Sequence, residues 1–289
     1  MSGKRPFSDF GLNQAVVLVA TLLCGACNPW RSSVPTAALV GQVDLHTEKL
    51  VDLRGFTAGE VAVIDPYEKR EVLFRGVDAR SVFDQLWGKR WQAADEVLIT
   101  CLDGYQPVIP VQRFLQRRAW FAFERVGHPS FSIEKEESSG AKQVMLAPAY
   151  LVWDSAHDTR IRADSDFAWP YQISGLELVV FSERFSRVLP PNGSTQSVQT
   201  GFRNFRAHCL KCHSVNGQGG RVGPELNFPT NATEYLTRVH LRRWIADPVS
   251  VRWGTKMPPL RLPKEEQGAV IESVLDYLET MRSKKIAPL

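Results

Sequence analysis

The chain has few cysteines and no strong excess of charge of either sign. Its 289 residues include 5 cysteines, 23% charged residues and a formal net charge of +4. Nucleic-acid binding normally shows as a concentrated basic stripe, so this mild excess predicts no nucleic-acid partner. Cys24 and Cys27 lie near the N-terminus and Cys209 and Cys212 are close neighbours, which leaves Cys101 alone. The cysteines therefore predict no disulfide framework.

The apolar content of 44% is too low for a transmembrane bundle. One apolar run, AVVLVATLLCGA at residues 15–26, is too short to span a bilayer, and it follows the basic pair Lys4 and Arg5. These features predict an export signal over residues 1–27. LLCGAC further resembles the lipobox of bacterial lipoproteins, in which the last cysteine, here Cys27, is lipidated. An uncleaved single-span anchor is the alternative, and either form implies a membrane-attached protein in the bacterial periplasm.

Short segments of alternating character occupy the first two thirds of the chain. EVAVID, REVLFRG, DEVLITCLDGYQPVIPV, QVMLAPAYLVWD and LELVVFSERF are rich in β-branched and aromatic residues, as strands are. Asp103 and Gly104 give a hairpin signal, and DARSVFDQLW and VQRFLQRR are helical patterns. We predict an α+β domain with a mostly antiparallel sheet over residues 28–187. A linker rich in proline, glycine, asparagine and serine follows at residues 188–199.

The apolar period becomes helical after the linker, so residues 200–289 are predicted to form an all-α domain. Pro263 followed by Glu265 and Glu266 predicts the start of the last helix, because early acidic residues complement the helix dipole. Its apolar stripe comprises Val270, Ile271, Val274, Leu275, Leu278 and Met281. From Thr200 onward fourteen Lys or Arg face eight Asp or Glu, which suits docking to an acidic protein surface.

The segment AHCLKCHSVNGQGGRVGPEL places Cys209, Cys212 and His213 in a five-residue window. A structural zinc site needs four ligands, yet after His213 the chain offers only His240 and no cysteine. A thioredoxin-like dithiol follows a strand in a βαβ unit, whereas these cysteines follow a helical segment. The remaining interpretation is the C-x-x-C-H attachment site of one haem c. The two thiols then add to the haem vinyl groups, and the adjacent histidine is the proximal iron ligand.

An iron that carries electrons takes a sixth ligand from a later segment. WGTKMPPL supplies Met257 between two helical patterns, and Pro258 and Pro259 keep that loop from joining a helix. Met281 lies on the apolar stripe and is predicted to be a core residue. His240 is the competing ligand, because imidazole and thioether both serve as sixth ligands.

The last third of the chain resembles a class I cytochrome c domain. The matching motifs in chain order are a helix with Phe202 and Phe205, CLKCH, NGQGGRVGPEL, a helix with Tyr235 and Leu236, IADP, TKMPPL and a helix with LDYLETM. The resemblance implies that Cys209 and Cys212 hold the haem. It also implies that His213 and Met257 are axial ligands and that the Pro224 carbonyl orients the histidine ring. With both axial positions filled, we expect single-electron transfer rather than catalysis at the iron.

Such a domain exchanges electrons with partner proteins. We expect a dehydrogenase or a quinol-linked protein as donor, and an oxidase or a soluble cytochrome as acceptor. Lys211, Arg221, Lys256 and Arg261 flank the haem-bearing segments, where they are either a docking ring or solvated surface charges.

The first half resembles the pterin-binding domain of the sulfite oxidase family in FRGVDARSVFDQLWG and DGYQPVIPV. The molybdenum ligand of that family is a cysteine ahead of this helix, and VAVIDPYEKREVLF contains none. Cys101 alternates in step with Val97 and Ile99, which predicts a buried, inert thiol. We therefore expect a domain without molybdopterin that serves as a docking or ligand-binding scaffold. A molybdenum-dependent oxidoreductase with a fused cytochrome c domain, and a haem-based redox sensor, are the alternatives.

Overall fold

The computed structural model describes residues 42–44, 53–137, 140–164, 167–260 and 262–288. All of these belong to one compact unit, Pro35–Leu289. The predicted export signal at residues 1–27 and its lipidation candidate Cys27 lie outside the described residues. Among the helices that are described, none is both long and apolar enough to cross a membrane.

Antiparallel strands dominate the first half of the described chain. In chain order, the strands are β1 (Gln42–Asp44), β2 (Gly59–Ile64), β3 (Glu71–Asp78), β4 (Glu96–Cys101), β5 (Val108–Pro110), β6 (Ala119–Arg125), β7 (Ser132–Glu137), β8 (Gly140–Met145), β9 (Tyr150–Trp153), β10 (Ile173–Val179), β11 (Ser214–Val215) and β12 (Gln218–Gly219). One sheet has the order β1-β10-β4-β5 and another β2-β3-β6-β9, while β7 with β8 and β11 with β12 form separate hairpins. Every strand pair among them is antiparallel.

Helices dominate the second half. They are α1 (Ala79–Trp87), α2 (Val111–Gln116), α3 (Thr159–Ala163), α4 (Phe181–Arg184), α5 (Gln196–His208), α6 (Ala232–Tyr235), α7 (Arg238–Ala246), α8 (Pro248–Val251) and α9 (Lys264–Met281), with 3-10 turns at Leu53–Gly55 and Gly88–Ala93. As predicted, α9 begins directly after Pro263. Its apolar stripe packs inward, and Met281 is fully buried, which confirms its predicted place in the core.

Strand β4 is buried on both faces, and this unites the two halves of the chain. Val97, Ile99 and Cys101 enter the larger core of the first half. Leu98 points the other way, into a second core that it shares with Phe205 of α5 and with side chains of α9. The period-2 alternation of a strand predicts these opposite directions but does not reveal what covers the second face. The likeness of the two halves to the sulfite oxidase and cytochrome c folds stays a prediction.

The structure differs from the sequence predictions in three segments. The predicted strand LELVVFSERF ends at Val179 and turns into α4, because Phe181 and Phe185 stack on each other at 4.9 Å against the second core. QVMLAPAYLVWD divides into β8 and β9. The second half is not all helical, because Asn216 and Gly217 close the hairpin of β11 and β12. Both residues have positive φ angles, 56° and 77°, which suit an Asn-Gly turn.

The predicted linker at residues 188–199 is part of the packed structure. Helix α5 begins within it at Gln196, and the side chain of Thr195 caps the helix by accepting from the backbone nitrogen of Val198. Val188 is fully buried, and its carbonyl oxygen accepts a bond from the Tyr277 hydroxyl of α9 at 2.6 Å.

Candidate functional site

The two neighbouring cysteines and the histidine lie on a single turn at the end of α5. The carbonyl oxygen of Cys209 accepts from the backbone nitrogens of Cys212 at 3.0 Å and His213 at 2.9 Å. The nitrogen of Cys209 itself bonds to the last turn of α5 through Phe205 at 2.8 Å. Leu210, between the cysteines, is 2% exposed and anchors the turn in the second core. This turn keeps the two thiols and the imidazole in a fixed arrangement.

The imidazole of His213 is held by a carbonyl oxygen from a later loop. Its Nδ1 lies 2.9 Å from the backbone oxygen of Pro224. A carbonyl only accepts, so Nδ1 carries the proton and Nε2 is left with its lone pair. Burial lowers the pKa of His213, although the bond to Pro224 acts in the opposite direction. The ring is therefore neutral at physiological pH, which is the form that binds iron.

Two glycines let the following loop approach this turn closely. A Cβ atom on Gly223 would lie 2.3–2.8 Å from three ring atoms of His213. On Gly220 it would lie 2.2 Å from the carbonyl oxygen of Lys211. The backbone nitrogen of Gly223 also donates to the oxygen of Cys212 at 2.8 Å. Only glycine fits such contacts, because real Cβ atoms do not approach neighbouring heavy atoms so closely.

The protonation of the two thiols argues against a redox dithiol. Burial raises the pKa of Cys209 to about 12, and it also raises the pKa of Cys212. Reactive C-x-x-C pairs instead depress the pKa of a cysteine to about 7 or below. Cys209 and Cys212 form no disulfide in the structure. Across the described residues, no three His, Cys, Asp or Glu side chains are grouped to bind a bare metal ion.

Met257 lies on a separate loop between α8 and α9. Its side chain is half-buried, and its backbone nitrogen bonds to the Thr255 hydroxyl at 3.2 Å. Leu260 ties this loop to the helices, since its nitrogen bonds to the oxygen of Ile245 at 3.3 Å and its oxygen accepts from Gln267 at 2.8 Å. The structure thus groups the cysteine pair, His213 and Pro224, and it carries Met257 on a loop fixed at one end.

His240, the competing ligand, lies on α7 in edge-to-face contact with Trp244. Their ring centroids are 5.5 Å apart. Its backbone nitrogen bonds to the hydroxyl of Thr237, the residue that caps this helix.

The hairpin turn of the first half contacts the cysteine segment directly. The backbone nitrogen of Gln106 donates to the oxygen of Lys211 at 2.8 Å, and the oxygen of Gly104 accepts from the nitrogen of Arg221 at 2.8 Å. Cys101, at the end of β4, is 3% exposed and burial raises its pKa, which confirms the predicted buried thiol. Its burial does not suit a molybdenum ligand, because a reactive or ligating thiol needs access and a thiolate.

A carboxylate that local sequence patterns do not reveal organises the loop after His213. The side chain of Glu225 accepts bonds from four backbone nitrogens of the second half. The only sequence signal nearby is the Asn216-Gly217 pair, which is typical of a two-residue hairpin. Nothing in the local pattern marks Glu225, because its partners are backbone groups of other segments.

No family model matches the chain. Over 94 residues the chain is 30% identical to a curated relative from Halomonas halodenitrificans, the C-type subunit of a nitric oxide reductase. The matched region makes up 30% of this chain and 60% of that protein. The chain therefore covers less than two thirds of the relative, and the similarity concerns part of each protein.

Proposed function

We propose that the chain is an electron-transfer protein with one haem c attached covalently to Cys209 and Cys212. The observation that carries this proposal is the 2.9 Å bond from His213 Nδ1 to the Pro224 oxygen, beside the cysteine pair. The residues fit this cofactor, because two thiols match two vinyl groups and the bond to Pro224 leaves Nε2 for the iron. Met257 is the proposed ligand on the opposite side. When bound, haem c supplies a one-electron iron couple, which methionine ligation shifts to a higher potential.

The similarity to the nitric oxide reductase subunit supports a redox role and redox partner proteins in general. The name of that relative describes one subunit of a larger redox enzyme. For this chain we propose a dehydrogenase or a quinol-linked protein as donor, and an oxidase or a soluble cytochrome as acceptor. We also propose attachment to the membrane on the periplasmic side, through a lipid on Cys27 or through the N-terminal segment.

The region from α7 to the Met257 loop is the proposed docking face. Its basic side chains include Arg242, Arg243, Arg252 and Lys256, and Asp247 is its one acidic residue. Trp253 on this face is 79% exposed. An exposed aromatic side chain among cations suits a partner surface with acidic residues around an apolar centre.

The first half is proposed as a scaffold that supports the cysteine segment. The Gln106–Lys211 and Gly104–Arg221 bonds support this role. The same contacts favour a second candidate function, a haem-based redox sensor, because a ligand bound to the first half would act on the turn that touches the cysteine segment. A sensor requires that the oxidised and reduced proteins bind that ligand with different affinity.

Elemental and spectroscopic analysis of the natively exported protein tests the proposal. We expect equimolar iron, no stoichiometric molybdenum or copper, a low-spin c-type reduced-minus-oxidised spectrum, and haem that stays on the chain in a denaturing gel. The double variant Cys209→Ser, Cys212→Ser is the control, and it should lose the haem from the gel band. Wild-type protein without covalent haem would refute the proposal. Stoichiometric molybdenum would instead support a molybdenum-dependent oxidoreductase.

A further inference from the structure

We infer that Glu225 is a positioning residue for His213, and this inference rests on the proposed function. Glu225 directly follows Pro224, whose carbonyl oxygen holds the imidazole at 2.9 Å. The carboxylate does not contact the ring itself. It acts by binding the loop that carries the acceptor to the hairpin that follows the donor.

Each carboxylate oxygen of Glu225 accepts bonds from the backbone. Oε1 accepts from the nitrogens of Asn216 at 2.8 Å, Asn227 at 2.9 Å and Phe228 at 3.2 Å. Oε2 accepts from the nitrogen of Gly217 at 2.9 Å. Bonds from N–H groups to an ionised acceptor are roughly twice as strong as neutral ones. One side chain therefore joins the hairpin tip to the loop after Pro224.

The position of these donors determines what the carboxylate fixes. His213 immediately precedes β11, and Asn216 and Gly217 form the turn after β11. The backbone adds a single bond here, from the nitrogen of Leu226 to the oxygen of Ser214 at 2.9 Å. With Glu225 in place, the strand after the histidine and the loop of Pro224 move as one body, which keeps the ring bond short.

Three buried asparagines connect this clamp to helix α9. Asn227 donates to the side-chain oxygen of Asn216 at 2.8 Å, and Asn231 donates to that of Asn227 at 2.7 Å. Asn216 also donates to the carbonyl of Lys284 at 2.8 Å, just beyond the end of α9. All three are fully buried. The donors of the clamp are thus themselves held by a satisfied network, which makes the acceptor position of Pro224 rigid.

A firm bond from Nδ1–H to a carbonyl makes the imidazole a more basic ligand, which favours ferric iron. Loss of the Glu225 clamp should loosen that bond, favour ferrous iron and allow the ring to change its orientation. We therefore expect an effect on the iron couple from a residue that touches neither the ring nor the iron.

The test compares Glu225→Ala and Glu225→Gln in the full-length holoprotein, with Glu266→Ala as control. Glu266 is an exposed glutamate in the first turn of α9. We expect Glu225→Ala to raise the ferrous-to-ferric ratio at a fixed applied potential by roughly tenfold, the lower end of what outer-shell changes cost metal sites. The anisotropy of the ferric EPR signal should change as well, because it reports the orientation of the ring. Glu266→Ala should leave both measurements unchanged.

The glutamine variant separates hydrogen bonding from charge. Glutamine keeps Oε1 as an acceptor for three of the four nitrogens but loses the negative charge, as alanine does. A smaller effect of Glu225→Gln than of Glu225→Ala supports positioning. Equal potential shifts with an unchanged EPR signal would show a charge effect and overturn the inference, as would no shift in either variant. If the alanine variant does not fold, a changed EPR signal in Glu225→Gln supports positioning and an unchanged one refutes it. Absence of covalent haem in the wild type would defeat the proposed function itself.

Discussion

The backbone nitrogen of Gln106 donates to the carbonyl oxygen of Lys211 at 2.8 Å, so the hairpin turn of the first half meets the residue between the two neighbouring cysteines. Gly104 lies next to it with a φ of +87°, and a Cβ atom there would lie 2.9 Å from the Cβ of Arg221. The two halves also share the second hydrophobic core. They are therefore expected to unfold together.

Gly104→Ala should destabilise the whole chain, because the new methyl group combines backbone strain with a clash against Arg221. We expect a loss of about 2–4 kcal/mol in the free energy of unfolding. Gly193→Ala is the matched control. Gly193 also has a positive φ, +78°, but nothing lies within 4 Å of the added Cβ, so about 1 kcal/mol is expected. Urea denaturation followed by tryptophan fluorescence and by haem absorbance should give coincident shifts. Separate transitions would show that the halves unfold independently.

Arg206→Ala should destabilise the protein in a pH-dependent manner. Arg206 of α5 forms an ion pair with Glu96 of β4, which is 7% exposed, and packs over the Phe181 ring at 3.6 Å. Burial raises the pKa of Glu96 above its ordinary 4.5, and Arg206 partly offsets this. The folded carboxyl thus holds its proton more tightly than the unfolded one, so its burial costs stability as the pH rises above its ordinary value. Without Arg206 that cost grows.

We therefore expect Arg206→Ala to cost little near pH 4 and about 2 kcal/mol near pH 8, which urea denaturation at the two pH values measures. This is below the usual cost of breaking a buried pair, because the Arg206 side chain is 37% exposed. The double variant Glu96→Gln, Arg206→Ala has no buried carboxyl to ionise and should lose the extra pH dependence. An equal cost of Arg206→Ala at both pH values would mean that the lost packing on Phe181 explains the whole effect.

Local patterns in the sequence predict part of the fold and part of the site. The C-x-x-C-H spacing, the helix start at Pro263 and the burial of Cys101 follow from residue type and period alone. The role of Leu98 does not, because alternation shows only that it points away from Cys101, whereas its partners on α5 and α9 are more than 100 residues later. The Glu225 clamp is equally hidden, since the four bonds end on backbone nitrogens, which every residue except proline carries.

Gly223→Ala should displace the His213 ring. The added methyl group would lie 2.3–2.8 Å from ring atoms, so the imidazole cannot keep its bond to Pro224. We expect at least a roughly tenfold lower yield of low-spin holoprotein, comparable to the loss of an outer-shell partner. Gly268→Ala is the control, because nothing lies within 4 Å of that position inside α9 and alanine should add about 0.5–1 kcal/mol of stability. The ratio of haem absorbance to protein measures the effect. Normal holoprotein from Gly223→Ala would contradict the observed packing.

Met257→Ala tests the sixth ligand. If Met257 binds the iron, its loss should give a high-spin ferric spectrum and let added imidazole bind at least ten times more tightly, on the order expected when a ligand no longer has to be displaced. Met145→Ala is the matched methionine control, because Met145 lies on β8 and is 49% exposed. His240→Ala tests the competitor. An unchanged spectrum in Met257→Ala together with a high-spin spectrum in His240→Ala would transfer the role to the histidine.

Reversal of two charges on the proposed docking face should change how the reduced protein reacts with small charged oxidants. Arg252 and Lys256 flank the exposed Trp253 and lie near Met257 in the chain. In the variant Arg252→Glu, Lys256→Glu, stopped-flow rates with the anionic hexacyanoferrate(III) should fall by about tenfold at low salt, and rates with the cationic tris(phenanthroline)cobalt(III) should rise. Both effects should shrink at high salt, because the Debye length falls to about 8 Å at physiological ionic strength. Lys142→Glu on β8 should change neither rate. Opposite responses to the two oxidants identify an electrostatic face at the site of electron exchange, whereas parallel responses would indicate a change in the iron couple and would remove the α7–Met257 region as the docking face.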